Sequence, residues 1–367
     1  MNGLLPEGLR DRLPPQAEAA SNILRAVLDS VGAHGYDRVS PPLAEFEQEL
    51  VGRLKSAKSR DLLRFVDPVS QRTLALRPDI TAQISRIATT RMASAARPLR
   101  LSYGGPVLKL RATQLRPERE LIQAGAELIG CDSVPAVIEV IQVAIEALRA
   151  AGVTGITLDL TLPDLVATLA NGAWPIAAAR VEALQAALDS KDAGALSAAG
   201  DAPYLGLVAL AGPLASARTQ LEALGLGDVI AGRLAAIDAI AAALPDVRIT
   251  LDPTERHGFE YQSWIGFSLF GDGLLGEAGR GGTYTILHAD GHEEPAIGFS
   301  LFLDPLVDAG LMQSARRRVF IPTNADPASA ANLRETGWTT IAAISPDCDG
   351  AALGCTHVLN GGDVVRL

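Results

Sequence analysis

Residues 100–130, RLSYGGPVLKLRATQLRPERELIQAGAELIG, constrain the fold of this chain more than any other stretch. Apolar residues dominate both ends, a loop rich in Arg and Glu separates them, and Gly130 marks a turn at the close. This is the pattern of a strand, a polar loop and a second strand.

The chain has 367 residues, room for two or three domains and a large core. No apolar run reaches the ~18 residues of a membrane span. The opening residues, MNGLLPEGLRDRLPP, combine acids with early prolines and make a poor signal or transit peptide. The expectation is a soluble, cytoplasmic protein with no membrane role. Cys131, Cys348 and Cys355 are odd in number and form no CxxC pair. They argue against a disulfide framework and against a zinc site.

The net charge of -10 is a poor footing for nucleic-acid binding. The charge is uneven, however. Residues 51–120 carry 15 of the 32 Lys and Arg but only 5 of the 42 Asp and Glu, so they hold +10 against -20 elsewhere. Two readings stand: solvated faces around a sheet, or a basic patch for an acidic partner or a phosphate.

Residues 15–33 read as a helix, with Ile23, Leu24, Val27, Leu28 and Val31 on one face. YDRVSPPLAEF then reads as extended. A hairpin through Val69–Gln71 and a helix starting near Asp79 follow, with Asp79 and Thr81 at its first turn. A helix is expected from Val134 to Ala151 and a strand at Ile156, Leu158 and Leu160. Residues 162–245 are Ala- and Leu-rich, largely helical, and carry no evident chemistry. FEYQSWIGFSLF reads as a long strand, GRGG at 279–282 as a turn, and EPAIGFSLFLDPLV as a strand. A small α/β unit is expected at 314–367, after a core of 1–313.

Six blocks carry a resemblance to a known family. The hairpin at 100–130 resembles motif 2 of class II aminoacyl-tRNA synthetases, in the form found in histidyl-tRNA synthetases, through Arg100, Tyr103, Gly105, Pro106, Gln123, Gly125, Glu127 and Gly130. The early helix, strand and Pro resemble motif 1, which in that family builds a homodimer. LRPDITA resembles the LRPEGTA block, HGFEY the RGLDYY signature, GRGGTY the AGGRYD block, and EPAIGFSLFLDPLV motif 3. The resemblance implies an α+β fold, an antiparallel sheet flanked by helices, with a helical insertion at about 162–245 and a small C-terminal α/β unit.

It also implies a split between two sites. The family holds ATP with an Arg, a residue and a Glu after the first strand, and this chain has Lys109, Leu110 and Arg111. Lys109 lacks the planar fork that grips phosphate in two places, and Arg111 turns an acceptor into a donor. His257, Thr283 and Pro305 stand where the family has further ATP-binding arginines; Arg256 lies one residue before His257. Fixed positive charge is the main means by which such a site stabilises phosphoryl chemistry, so these changes argue against ATP activation.

Asp79, Thr81, Gln123, Glu127, Tyr261 and Tyr284 match positions that contact histidine in the synthetases, while Gln262 replaces a family Tyr. They are either a retained histidine pocket or polar groups that satisfy one another. The tail after Leu306 is too short for an anticodon-binding domain of roughly 100 residues, so no tRNA is expected. No phosphoribosyl-pyrophosphate loop and no Walker loop is present.

Together these features resemble the regulatory subunits of ATP phosphoribosyltransferase. The resemblance implies a non-catalytic, cofactor-free chain that activates a short-form catalytic subunit, helps transmit histidine inhibition, and sits as a dimer within a hetero-octamer. A divergent histidine-activating ligase and a stand-alone histidine sensor are the alternatives.

Overall fold

The computed structural model describes residues 4–51, 62–110, 118–256, 262–313 and 316–367. The chain divides into two compact units, Met1–Met312 and Gln313–Leu367.

The first unit opens with α1 (Gln16–Ala33), whose Ile23, Val27, Leu28 and Val31 are buried at helical spacing. Then come β1 (Asp37–Arg38), β2 (Ala44–Phe46), α2 (Glu47–Val51), β3 (Arg64–Val66) and β4 (Thr73–Leu76). α3 (Thr81–Thr90) leads to β5 (Leu99–Leu108), β6 (Glu120–Ile129), α4 (Val134–Ala150) and β7 (Thr157–Thr161). The insertion comprises α5 (Leu165–Asn171), α6 (Ala178–Asp189), α7 (Ala193–Ala198), α8 (Ala202–Val208), β8 (Gly212–Pro213), α9 (Leu214–Ala223) and α10 (Asp228–Ala243). β9 (Arg248–Asp252), β10 (Gln262–Phe270), β11 (Gly279–Leu287), β12 (Glu293–Phe302) and α11 (Asp304–Asp308) complete the unit.

Nine strands form one sheet in the order β1-β5-β6-β12-β11-β10-β7-β9-β8. Its pairs are antiparallel except β1 with β5 and β7 with β9. β2, β4 and β3 make a separate small sheet. Because side chains alternate across a strand, the large sheet has two distinct faces. One carries Ala126, Leu128, Leu160, Phe267, Ile297 and Phe299 into the main core with α1, α4 and the insertion. The other carries Leu101, Tyr103, Ile129, Tyr284 and Ala296 against α3, and the polar site lies on that side.

Two expectations fail locally. GRGG is not a turn: Gly279–Gly282 are the first rungs of β11, paired with Leu301 to Gly298. A Cβ on Gly281 would sit 2.3 Å from the Gly298 carbonyl and 2.4 Å from the Phe267 ring, so glycine serves close packing here, not a bend. LDPLV does not continue β12. It turns into α11, with Pro305 in the first helical turn, where a missing N–H is harmless.

Among the described residues, part of the basic excess of 51–120 is paired within the chain. Arg86 pairs with Glu45, Arg97 with Glu294 and Arg100 with Glu139. Arg77 is buried and donates to the carbonyls of Pro41 and Pro106. Glu139 and Glu294 lie outside the segment, so its sequence charge does not translate into an equal surface charge. Among the described residues, no helix is long and apolar enough to cross a membrane.

The second unit has β13 (Arg318–Ile321), α12 (Pro327–Glu335), β14 (Thr339–Ala342), β15 (His357–Asn360) and β16 (Asp363–Arg366), in a sheet of order β14-β13-β15-β16. The Asp326 carboxylate caps α12 by accepting from Ala328 N and Ser329 N. Asp326→Ala is expected to cost about 1 kcal/mol, which speeds amide exchange in α12 by about fivefold if that helix opens locally. Unchanged exchange in α12 would show that the cap does not hold the helix.

Candidate functional site

The hairpin β5–β6 places Tyr103 opposite Gly125 and Leu101 opposite Glu127. Gly125 lets the Tyr103 ring lie across the neighbouring strand, since a Cβ there would meet the phenol oxygen at 2.7 Å. Tyr103 is fully buried, and its hydroxyl reaches Glu127 Oε1 at 3.1 Å and Ser300 Oγ at 3.0 Å. Tyr284, on β11, donates to Glu127 Oε2 at 2.8 Å.

The chain of polar contacts continues to α3. Gln123 Nε2 donates to Ser300 Oγ at 2.6 Å and to Asp79 Oδ2 at 2.8 Å, while its Oε1 accepts from Ile80 N at 3.1 Å. Asp79 Oδ1 accepts from Thr81 N at 2.7 Å, and Thr81 Oγ1 lies 3.4 Å from the Tyr103 hydroxyl. Asp79 therefore closes the first turn of α3 and joins the network at once. The structure brings Asp79, Thr81, Gln123, Glu127 and Tyr284 together. Tyr261, His257 and Arg111 lie outside the described residues.

Glu127 is 1% exposed. Burial pushes its carboxyl up to about 8, and the nearby Asp79 charge adds to the rise, against the hydrogen bonds from Tyr284, Thr81 and Tyr103. At neutral pH this group holds a proton and can both donate and accept. Tyr103 is also raised, first by burial and then by the Glu127 charge.

Strand register reveals a feature the sequence reading missed. Glu127 pairs with Gly298, Gly298 with Gly282, Gly282 with Gly266, and Gly266 with Thr161. Three adjacent strands thus present glycine in one row on the site face, between a carboxyl and a hydroxyl. The glycines lie in GRGGTY, EPAIGF and SWIGF, and no local pattern says that they align. Thr81, Glu127, Gln262, Tyr284, Gly282 and Gly298 are among the residues around a cavity of ≈ 20 Å³ at this row. That is about the room of one water.

The positions matched to ATP contacts are otherwise engaged. Lys109 closes the hairpin end, its N donating to Arg119 O at 2.8 Å, with its ammonium 5.7 Å from the Phe302 ring centre. Thr283 is fully buried on the opposite sheet face from Gly282, accepting from Ser263 Oγ at 2.8 Å. Pro305 opens α11, whose Asp304 is buried and binds Arg12, Arg10 and the backbone N of Ile122. Arg256 pairs with Asp189 of the insertion at 3.0 Å. Among the described residues, no group of three or more His, Cys, Asp or Glu could hold a metal ion.

Comparison with known proteins bears on this arrangement. A family model described as histidyl-tRNA synthetase matches residues 8–306. A relative from Rhodospirillum centenum, described as an ATP phosphoribosyltransferase regulatory subunit, is 41% identical, covering 99% of this chain and 96% of its own length. A relative from Paramagnetospirillum magneticum with the same description is 42% identical, covering 99% and 98%. Among solved structures, an ATP phosphoribosyltransferase regulatory subunit/histidyl-tRNA synthetase from Bacillus halodurans superposes with a TM-score of 0.80 at 24% identity, covering 96% of both chains. Histidyl-tRNA synthetase from Nostoc gives 0.78 at 15% identity, covering 98% of this chain and 91% of its own, a likeness of fold alone.

Proposed function

The chain belongs to the histidyl-tRNA synthetase family and, within it, to the ATP phosphoribosyltransferase regulatory subunits; on that premise we propose that it is the non-catalytic subunit that activates ATP phosphoribosyltransferase and relays histidine feedback. The observation that carries this reading is the 41–42% identity over 99% of the chain to relatives of that description. The engaged positions of Lys109, Thr283 and Pro305 support it, because none offers a guanidinium to a nucleotide phosphate.

The partner is a short-form catalytic subunit, and the chain itself dimerises through its motif 1 region within a hetero-octamer in the cytoplasm. It binds no tRNA. The site at Asp79, Thr81, Gln123, Glu127 and Tyr284 receives histidine, the acids and amide facing its polar groups. Tyr261 belongs to the same pocket by family likeness. Activation arises because this chain binds the active state of its partner more tightly than the inactive one.

Mixing the purified chain with a short-form phosphoribosyltransferase subunit is expected to give a stable complex with raised turnover. The chain alone is expected to show no histidine-dependent ATP–pyrophosphate exchange. Absence of a complex at micromolar concentration defeats the regulatory reading, and clear exchange would favour a histidine-activating ligase in its place.

A further inference from the structure

The glycine row has an unusual occupant. β10 carries a register irregularity between Gln262 and Gly266, and this turns the Gln262 side chain over the row. A Cβ placed on Gly282 would meet Gln262 Nε2 at 2.7 Å, and one on Gly266 would meet Gln262 Oε1 at 2.4 Å. The carboxamide therefore lies where side chains of two strands would otherwise stand. Only half of it is satisfied: Nε2 donates to Gly281 O at 2.7 Å, but Oε1 is buried with no hydrogen-bond partner among the described residues.

Thr161 ends the row. Its side chain is fully buried, and its Oγ1 also has no partner among the described residues. It points at the same place, 2.6 Å from where a Gly266 Cβ would be. The two orphaned oxygens thus lie within about 5 Å of each other, not bonded to one another and close enough to share one polar group. A buried unpaired polar atom is destabilising, so the carboxamide is held weakly where it lies.

We infer that Gln262 is a displaceable plug in a slot floored by Gly298, Gly282 and Gly266, and that Thr161 is the specificity-determining hydroxyl at its far end. The slot takes a small flat ring with hydrogen-bonding atoms at opposite edges. Glu127 meets one edge; Thr161, with the Gly281 carbonyl freed by Gln262, meets the other. The row from Gly298 to Gly266 spans two strand spacings, about 10 Å, a length that suits one five-membered ring with a hydrogen bond at each side. This rests on the histidine pocket proposed above and adds to its far end Thr161, which lies outside the blocks that resemble the family.

Calorimetric titration of the full chain with L-histidine and with imidazole tests the inference. Gln262→Ala is expected to bind about tenfold more tightly, because no plug has to leave. Thr161→Val, of the same shape, is expected to bind about tenfold more weakly, and Thr161→Ser to recover most of the loss. Thr161→Val should not lower the melting temperature, since it removes an unsatisfied buried hydroxyl; a structural role alone would leave binding unmoved. Wild-type binding by all three variants overturns the inference and leaves the histidine pocket standing. No heat from wild type or variants at millimolar histidine overturns both.

Discussion

Asp304→Ala is expected to destabilise the Met1–Met312 unit by about 3–5 kcal/mol, seen as a lower urea midpoint. Asp304 is 3% exposed and anchors three elements. It accepts from Arg12 and Arg10 of the N-terminal segment and from the backbone N of Ile122 on β6. Among the described residues Arg12 has no second acidic partner, and its Nε is already buried without one. Removing the carboxylate leaves a half-buried guanidinium and a backbone N–H without their acceptor, and the buried part of each then carries a desolvation penalty. Arg10 retains Asp308 at 3.0 Å, an exposed pair. Asp308→Ala is therefore the control, with a loss under about 1 kcal/mol. Equal losses in the two variants would mean that burial of Asp304 does not set its importance.

The second large effect concerns pH. Glu127 rises from an ordinary 4.5 to about 8 on folding. Between those values the folded chain keeps a proton that the unfolded chain has released, so raising the pH favours unfolding. Stability from this group is complete below about 4.5, declines by up to about 1.4 kcal/mol per pH unit, and levels off above about 8. Glu127→Gln keeps a donor and an acceptor between Tyr103 and Tyr284 but cannot ionise. Melting temperatures from pH 5 to 9 should fall more steeply in the wild type than in the variant. Glu139, lowered first by Arg100, and Glu294, lowered by Arg97 and His288 against its burial, act at the acid end and are common to the two proteins. Parallel curves would show that Glu127 is ionised in the folded state.

Much of the fold was legible because periodicity and turn residues report local structure. The hairpin, α1, α3, α4 and the helical insertion all stand where apolar spacing, capping residues, turn residues or composition put them. The failures were at GRGG and LDPLV, where tertiary packing and the helix-starting effect of Pro305 overrode the local pattern. In the site, Asp79, Gln123 and Glu127 were found through motif likeness, and the structure shows them sharing one network. Tyr103 was seen only as framework, although its hydroxyl joins Glu127 to Ser300. Thr161 and the glycine row gave no local signal, because register between distant strands decides them.

That row also bears on the mechanics of the sheet. Cross-strand side-chain pairs are what stiffen neighbouring strands, and across Gly298, Gly282 and Gly266 the site face has none of its own. Each glycine further gives up about 0.5–1 kcal/mol relative to alanine in a strand. In this sheet a line through the middle strands depends instead on the side chains of Glu127 and Gln262, which lie across it from neighbouring positions, so the joint between these strands is only as firm as the seating of those two polar groups.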